Sequence, residues 1–407
     1  MLIRLPLLIR LEESSLAEPI VRDRARVLSA VASGAATARA QLAERLGLRS
    51  TTVSHLVGDL LARRLLLEAS DDHRGPGQGR GRGRPAAMLL LNPERFGVVV
   101  MHSAGRNLVG ALVDLSGRVL DSEGLAVPPA ADNQAMGAAL LGLASRLRGG
   151  LRGGMDFAGV SIALSGVMDL RQSRWLVSAR WPRIDGLDVA AALAPLAEPV
   201  LVLRQIDVEL ETRLEDSPPR AGGTLLVHWG WGIGLAYAID GRSFNGTGGP
   251  FGEIGHWRIA SLTGHRCGCG NTGCLETGAA LWALFPVLRQ HWPELAPALE
   301  VDEAGLALHL RGRDIAALPE MVAAAELMAQ ALANLCRLLF PDTVLISGPL
   351  VANAAYWALF EAAFRKEGLL GRLPLPVLQY EPAAPGHLLR GAASPLLTRA
   401  VGALLRT

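Results

Sequence analysis

The first quarter of the chain repeats apolar residues with the period of short helices. Apolar side chains fall on one face at Val27, Leu28 and Val31, which predicts a helix that begins near residue 23. A second helix is predicted over residues 38–46, after a loop that contains glycine. A third is predicted to begin at Ser50, because a serine hydroxyl at the N-cap accepts a hydrogen bond from a first-turn amide. Three short helices are therefore expected before residue 65.

From residue 96 onward, short apolar runs alternate with amphipathic segments. The apolar runs are predicted as strands at 98–101, 158–164, 225–228, 233–239 and 344–346. A hairpin is predicted over 108–122, with its turn at Ser116-Gly117, and a helix over 134–148. Strands that alternate with helices predict an α/β architecture, here with two lobes.

The second and third predicted helices flank Gly47-Leu48-Arg49 with the spacing of a helix-turn-helix. Two helices that cross closely need a small residue in the first, a turn residue that tolerates positive φ, and apolar residues that anchor the second. Ala43, Gly47 and Val53 meet these needs. The alternative is a generic helical hairpin with a solvated face. In a helix-turn-helix, the side chains predicted to face DNA are Arg49, Ser50, Thr51, Thr52, Ser54 and His55.

A segment rich in glycine and arginine, DDHRGPGQGRGRGRPAAMLLLNP, follows between two strand-compatible runs. In this position it predicts the wing of a winged helix, with DNA contacts from Arg80, Arg82 and Arg84. Glycine permits a close approach of the backbone, and the flat guanidinium group fits a narrow minor groove. The alternative is a flexible linker, and both interpretations hold if Pro85 and Pro93 mark a domain boundary.

Charge is unevenly distributed along the chain. The net charge is only +2, but the first 95 residues hold 15 basic and 10 acidic side chains, against 25 and 28 in the rest. A polyanion such as double-stranded DNA is therefore expected to meet the N-terminal quarter. All basic residues except Lys366 are arginine, and the favoured explanation of this excess is a GC-rich coding bias. Only the position of an arginine, and not its abundance, therefore supports DNA binding.

Three of the four cysteines lie in one short loop, which favours a metal site over disulfides. Cys267, Cys269 and Cys274 form a C-x-C-x4-C arrangement, and His256 precedes them. Three thiolates and one imidazole satisfy the tetrahedral coordination of Zn²⁺ and leave no position for water, so a structural zinc ion is predicted. His265 is an alternative nitrogen ligand, although it would have to fold back tightly. The same spacing also suits unliganded buried thiols or a redox-active cluster.

The opening sequence MLIRLPLLIRLEE is apolar but is interrupted by Arg4 and Arg10. No small-residue cleavage site follows it, so it is predicted to be neither a signal peptide nor a membrane span. A cytoplasmic protein without membrane contact is therefore expected.

The zinc-loop sequence and its surroundings resemble the signature of the ROK family, named for repressors, open reading frames and kinases. The resemblance rests on GEIGH, on C-x-C-G-x-x-G-C-x-E and on the preceding GIGLAYAIDGRSFNGTGG. With a winged helix ahead of this signature, the chain is similar to the branch of the xylose and N-acetylglucosamine repressors. The resemblance implies an actin-like, two-lobed sugar-kinase fold. It places a winged helix-turn-helix at 1–92, a small lobe at 93–200 plus about 390–407, and a large lobe with the zinc loop at 201–389.

The resemblance also implies which residues bind a sugar. The matching positions are Asp207, Glu253, His256 and Glu276. Among them, Asp207 matches the general base of the kinases, and His256 also matches a zinc ligand. The family has asparagine just before this aspartate, where the chain has Ile206, so one sugar hydrogen bond is lost. Arg180 stands about where another asparagine is expected.

The nucleotide-binding motifs of the family's kinases are altered in this chain. Where the kinases have D-x-G-x-T, the sequence MHSAGRN places His102 at the acidic position and Arg106 at the threonine. The second phosphate loop, G-T-G in the kinases, has Trp231 at its centre, and a glycine pair near the C-terminus ends in Pro349. These changes predict the loss of ATP binding and of kinase activity.

The resulting hypothesis is a DNA-binding transcriptional regulator of carbohydrate-related genes, a repressor, that senses a sugar or sugar derivative. A homodimer or a dimer of dimers is expected, because one recognition helix reads too few base pairs. One alternative is a sugar kinase that kept a DNA-binding arm. Another is a DNA-binding protein whose cleft no longer binds a ligand.

Overall fold

The computed structural model describes residues 9, 18–69, 88–216, 222–244, 249–369, 371, 373–382 and 385–407. Besides short 3₁₀ turns, the helices are α1 (Pro19–Ala32), α2 (Arg39–Leu46), α3 (Ser50–Ala62), α4 (Asn133–Gly149), α5 (Val189–Leu193), α6 (Gln205–Asp216), α7 (Glu276–Ala279), α8 (Leu281–His291), α9 (Glu303–Leu310), α10 (Pro319–Leu339), α11 (Ala354–Glu367) and α12 (Pro385–Arg406). The strands are β1 (Leu66–Ala69), β2 (Met88–Leu91), β3 (Phe96–Ala104), β4 (Asn107–Asp114), β5 (Val119–Ala126), β6 (Asp156–Leu164), β7 (Val167–Asp169), β8 (Arg174–Val177), β9 (Leu187–Asp188), β10 (Val200–Arg204), β11 (Gly223–Trp229), β12 (Ile233–Ile239), β13 (Arg242–Ser243), β14 (Thr343–Ser347) and β15 (Val377–Tyr380).

Helices α1 to α3 form an N-terminal unit that is completed by the antiparallel pair β1–β2. Leu28, Leu42 and Leu56 come one from each helix and are fully buried in a shared core. Three helices followed by a two-stranded pair are the elements of a winged helix-turn-helix. The predicted wing lies outside the described residues, together with Arg80, Arg82 and Arg84.

The turn between α2 and α3 has glycine in the predicted position, but the N-cap of α3 differs from the prediction. Gly47 ends α2 with φ 65°, a left-handed conformation that glycine adopts without strain. The prediction that Ser50 caps α3 is wrong, because Arg49 holds the N-cap position and Ser50 is the first helical residue. The backbone is still extended at Arg49, with φ −67° and ψ 143°, so the cap falls one residue earlier than the serine hydroxyl predicts.

The first lobe is built on a sheet with the strand order β10-β6-β3-β4-β5. The central strand β3 runs parallel to β6 and antiparallel to β4, and β4–β5 is the predicted hairpin. Helix α4 and the small sheet β7–β8–β9 pack on one face, where Trp175 and Trp181 are fully buried with ring centroids 5.7 Å apart. The opposite face packs against α12.

The second lobe is built on a sheet with the order β13-β12-β11-β14-β15. Strands β11, β14 and β15 are parallel, whereas β12 is antiparallel to β11. Helices α8, α10 and α11 pack over a core in which the Trp229 ring lies 5.6 Å from Tyr356 and 5.3 Å from Phe360. Within the described residues, α10 is long and apolar enough to cross a membrane, but 50% of its apolar window is buried inside the fold. Packing in this core accounts for its composition.

Helix α12 joins the N-terminal unit to the two lobes. Arg24 and Arg63 donate hydrogen bonds to the carbonyl oxygens of Leu405 and Leu404, at 2.7 and 2.6 Å. Both arginines also pair with Asp59, at 2.5 and 2.9 Å. Cationic groups at a helix C-terminus stabilise its unpaired carbonyls. Along its length α12 also packs against α6, so one helix contacts both the N-terminal unit and the helix that follows β10.

Candidate functional site

The most compact chemical group in the described part of the chain combines three thiols and an imidazole. The ligand atoms of His256, Cys267, Cys269 and Cys274 all lie within 4.8 Å of one another. The Sγ atoms of Cys269 and Cys274 are 3.7 Å apart, and Cys267 Sγ is 3.6 Å from His256 Nδ1. Thiolates on a tetrahedral Zn²⁺ with bonds of about 2.3 Å are about 3.8 Å apart. The donor set and its spacing therefore fit zinc, and within the described residues His256, rather than His265, joins the thiols.

The polypeptide holds these four residues in place through short backbone contacts. His256 ends a single 3₁₀ turn, Ile254–His256. The loop that carries the thiols is closed by isolated β-bridges between Arg258 and Cys274 and between Arg266 and Thr272. Burial raises the pKa of the Cys267 thiol to about 12, so metal binding at neutral pH would release its proton.

Asp207 lies in the first turn of α6 and is tied to a neighbouring cation. Arg204 Nη1 lies 3.1 and 3.3 Å from the two carboxylate oxygens of Asp207, and Arg204 Nη2 donates to the carbonyl of Leu235 at 3.0 Å. Burial raises the pKa of Asp207 to about 6, and the attraction of Arg204 opposes this rise. A proton acceptor with both oxygens engaged by arginine is poorly arranged to take a proton from a substrate hydroxyl.

Glu253 and Glu276 lie next to the metal group. Glu276 Oε1 accepts a hydrogen bond from the Ile233 backbone at 2.9 Å, and Oε2 accepts from the Trp282 indole at 3.3 Å. Burial raises the pKa of Glu253, whose carboxylate also interacts with the charges of Arg204, His256, Glu276 and Asp207. The four residues assigned to a sugar site by resemblance are thus close neighbours. Arg204 joins them.

A second charged cluster connects the two lobes at Glu303, the first residue of α9. Arg180, on the segment between β8 and β9 of the first lobe, pairs with Glu303 of the second lobe at 2.8 Å. His228 Nε2, on β11, lies 2.9 Å from the other carboxylate oxygen, and the Trp231 backbone donates at 2.8 Å. The positive charges of His228 and Arg180 outweigh burial and lower the pKa of Glu303 to about 2. We call these four residues the Glu303 cluster.

His102, which the resemblance assigns to an acidic position of the kinases, lies on β3. Its side chain is half-buried, and burial lowers its pKa. The neighbouring Ser103 hydroxyl lies 2.9 Å from the Ser165 hydroxyl and donates to Gln205 at 3.3 Å. The His102 imidazole and the hydroxyl groups of Ser103 and Ser165 thus lie at this strand end.

The residues predicted to face DNA form one exposed group on the second helix of the helix-turn-helix. The exposed side chains at the start of α3 are Arg49, Ser50, Thr51, Thr52, Ser54 and His55. Val53, Leu56 and Val57 of the same helix are fully buried. The polar face is therefore presented outward by an apolar face that holds the helix in position.

Sequence reasoning missed three residues of these sites, namely Arg204, His228 and Glu303. Arg204 had a weak signal, since an arginine three residues before an aspartate can reach it across one helical turn. Glu303 pairs with Arg180 across 123 positions of sequence, and no local pattern indicates such a contact.

Three comparisons relate this geometry to known proteins. A family model described as the ROK family matches residues 102–392. The kanosamine kinase of Amycolatopsis mediterranei (strain S699) is 31% identical over 262 residues, which span 63% of this chain and 82% of that protein. The DNA-binding transcriptional dual regulator NagC of Escherichia coli (strain K12) is 24% identical over 357 residues, 84% of each chain.

A solved structure with the same arrangement extends over almost the entire chain. It is the crystal structure of a ROK family transcriptional regulator, described as a homologue of the E. coli MLC protein. It aligns with a TM-score of 0.67 and 22% identity, over 95% of this chain and 97% of its own. This likeness confirms the predicted fold, an actin-like α/β domain of two lobes behind an N-terminal winged helix-turn-helix.

Proposed function

The chain belongs to the ROK family, and from this premise we propose that it is a transcriptional regulator, a repressor of carbohydrate-related genes that binds double-stranded DNA. The observation that carries the proposal is the exposed polar face of α3 within a helix-turn-helix that precedes the ROK domain. The likeness to NagC supports it, because the alignment covers 84% of both chains. We assign the winged helix-turn-helix to residues 1–92, the small lobe to 93–200 plus about 390–407, and the large lobe to 201–389.

DNA recognition is proposed to use the start of α3 and the wing. Arg49 and the short polar side chains that follow it would reach phosphates and base edges in the major groove. Arg80, Arg82 and Arg84 would add contacts in the adjacent minor groove. A homodimer or a dimer of dimers would bring two such units onto paired half-sites. This role places the protein in the cytoplasm.

The cleft beside the metal group is proposed to sense a sugar or a sugar derivative. Carboxylates and an imidazole offer several acceptors and a donor to neighbouring hydroxyl groups. The proposed contacts are Asp207, Glu253, His256 and Glu276. A structural Zn²⁺ held by His256, Cys267, Cys269 and Cys274 would crosslink the loop. It would also fix the orientation of the His256 ring.

Helix α12 offers a physical route from this cleft to the DNA-binding unit. Helix α6 carries Asp207, and the Thr212 hydroxyl of α6 donates to the His387 carbonyl of α12 at 3.2 Å. Arg390 of α12 donates back to the Thr212 carbonyl at 3.1 Å. A ligand that favours one position of α6 would therefore bias the position of α12. Couplings of about 1–3 kcal/mol change affinity at the second site roughly 5- to 150-fold.

A second candidate function is an ATP-dependent sugar kinase that carries a DNA-binding arm. The likeness to kanosamine kinase favours it. The pairing of Asp207 with Arg204 opposes it, because a general base must accept the proton of the attacking hydroxyl. The Glu303 cluster also opposes it, since the resemblance assigns Trp231 to the second phosphate loop and the Trp231 backbone N–H already donates to the Glu303 carboxylate. ATP-dependent phosphorylation of any sugar by the purified protein would establish the kinase.

Selection of genomic DNA fragments by the purified full chain tests the proposed function. We expect enrichment of a few fragments that share paired half-sites, lost in an Arg49→Ala/His55→Ala variant. The absence of any enriched fragment, or equal enrichment by this variant, would refute DNA recognition by α3. A thermal-shift panel of sugars, sugar phosphates and glycosides then tests sensing, because a ligand at 100 times its Kd stabilises by about 2.7 kcal/mol. No shift across the panel would support a DNA-binding protein without a sugar ligand.

A further inference from the structure

Arg180 extends from the first lobe and contacts two residues of the second. Its Nη2 donates a hydrogen bond to Glu303 Oε1 at 2.8 Å, and its guanidinium carbon lies 5.6 Å from the centre of the Trp231 ring. The side chains of Arg180 and Glu303 are only 13% and 17% exposed. Separation of the lobes would leave each of them as an unpaired, poorly solvated charge, so this contact resists separation.

The segment that carries Arg180 is fixed in the first lobe by the next residue. Trp181 is fully buried, its indole Nε1 donates to the Val127 carbonyl at 3.2 Å, and its ring centroid lies 5.7 Å from that of Trp175. The Trp181 backbone N–H also donates to the Ser178 hydroxyl at 3.3 Å. The backbone beside Arg180 is therefore held by the first lobe.

Glu303 is held by the second lobe in a comparable way. It is the first residue of α9, and its Oε1 also accepts a hydrogen bond from the Trp231 backbone N–H at 2.8 Å. Its Oε2 lies 2.9 Å from His228 Nε2 on β11. Because each partner is held by its own lobe, Arg180 and Glu303 can pair only when the two lobes are close together in one arrangement.

A backbone contact beside Glu303 also joins the lobes. A Cβ atom on Gly105, in the turn between β3 and β4, would lie 2.5 Å from the carbonyl oxygen of Val301. Gly105 has φ 60°, and glycine permits both this conformation and this close approach. Residues 301 and 303 of the second lobe thus meet two separate loops of the first lobe.

We propose that Arg180 and Glu303 form a latch that holds the two lobes in this arrangement. The latch opens when the ion pair breaks, and the contact between Gly105 and Val301 separates with it. The contacts involve only the protein's own residues, so the latch needs no ligand. A ligand that favours separated lobes must overcome the pair. The latch depends on neither DNA recognition nor sugar binding, so it stands or falls separately from the proposed function.

Hydrogen exchange of the full chain without added ligand, followed by mass spectrometry, tests the latch. We expect Arg180→Met to speed exchange in the Gly105 turn and in residues 297–303 about tenfold or more, because the open arrangement becomes more populated. The radius of gyration from small-angle X-ray scattering should increase. The matched control is Arg146→Met, which removes the arginine of an exposed pair with Glu123 inside the first lobe. It should change neither quantity.

Glu303→Gln breaks the same pair from the second lobe and should speed exchange in the Gly105 turn to a similar extent. Arg180→Met/Glu303→Gln should open the protein no further than either single substitution, since both remove one contact. If Arg180→Met does not fold, as judged by circular dichroism, Glu303→Gln carries the test. Faster exchange confined to the lobe that carries the substitution, with an unchanged radius of gyration, overturns the proposal. Full additivity of the two substitutions also overturns it.

Discussion

A single guanidinium nitrogen of Arg204 contacts both carboxylate oxygens of Asp207, at 3.1 and 3.3 Å, and both side chains are buried. Such a pair is costly to break, because removing one partner leaves an uncompensated buried charge. We predict that Arg204→Met lowers the free energy of unfolding by about 3–5 kcal/mol near pH 8. The loss should be smaller near pH 5, where Asp207, with a pKa of about 6, takes up a proton.

Urea denaturation of single and double variants measures how much this pair contributes to the free energy of unfolding. Arg204→Met/Asp207→Asn should recover part of the loss, since neither member of the pair is then left buried as a lone charge. Arg146→Met removes the arginine of an exposed pair with Glu123 and should have a much smaller effect. A loss in Arg204→Met that is the same at both pH values would contradict the assignment of the buried charge to Asp207.

The pairing of His228 with Glu303 predicts a stability that falls as pH rises. The folded-state pKa of His228 is raised, so its contribution is fully present below the ordinary imidazole pKa of about 6.5 and is lost as pH rises through the raised value. Glu303, with a pKa of about 2, stays ionised throughout. Arg180 and Glu209 also act on the ring, and the Ser347 hydroxyl lies 3.1 Å from its Nδ1.

The measurement compares the unfolding free energies of the unsubstituted protein and His228→Gln. It covers pH values from below the ordinary imidazole pKa of about 6.5 to above the raised pKa of His228. The difference should be largest at the acidic end and should narrow towards the alkaline end. His309→Gln, at an exposed histidine on the same helix as Glu303, is the control and should show no such trend. A difference that grows with pH would contradict a protonated His228.

Removal of one thiol should affect metal content and stability together. We predict that Cys269→Ser lowers the bound Zn²⁺ from about one per chain and lowers the Tm, because the four-ligand structural site loses a ligand. Metal content is measured by elemental analysis after dialysis. Cys336→Ser, at a fully buried thiol of α10 outside the metal group, should keep its metal even if it lowers the Tm. A stable Cys269→Ser variant with full metal occupancy would disprove the ligand assignment.

The exposed arginine at the start of α3 should contribute to operator affinity through phosphate contact. We predict that Arg49→Ala weakens binding to a selected fragment and reduces the slope of log affinity against log salt by about 1. Arg22→Ala removes an equally exposed arginine from α1 and should leave the slope unchanged. Equal salt slopes in Arg49→Ala and Arg22→Ala would show that Arg49 does not contact DNA.

We expect substitutions in the predicted wing to weaken operator binding more than Arg49→Ala does in the same assay. Replacement of Arg80, Arg82 and Arg84 by alanine should weaken operator binding and flatten its salt dependence further. Fluorescence anisotropy at several salt concentrations measures both quantities. An unchanged salt slope would identify the segment as a linker.

The sequence predicted the parts of the fold that depend on local periodicity. Buried strands and the helix-turn-helix were recognisable because apolar spacing reports which face of an element is covered. The Ser50 cap was mispredicted because a suitable hydroxyl does not determine where the backbone leaves the extended conformation.

Site chemistry was predictable where ligands lie close in sequence. The thiols at 267, 269 and 274 share one loop, so their spacing alone indicated a common ligand. The partners of Arg180 and Asp207 were not predicted. Arg180 meets Glu303 only because the two lobes come together, and the contact with Asp207 depends on the rotamer of Arg204.

His256 belongs both to the metal group and to the acidic cleft. With zinc bound as proposed, a chelator would release the His256 ring from the metal. The arrangement of the cleft would then change together with the metal group. The response to the proposed cleft ligand would then change with zinc concentration in any assay in which that concentration is not fixed.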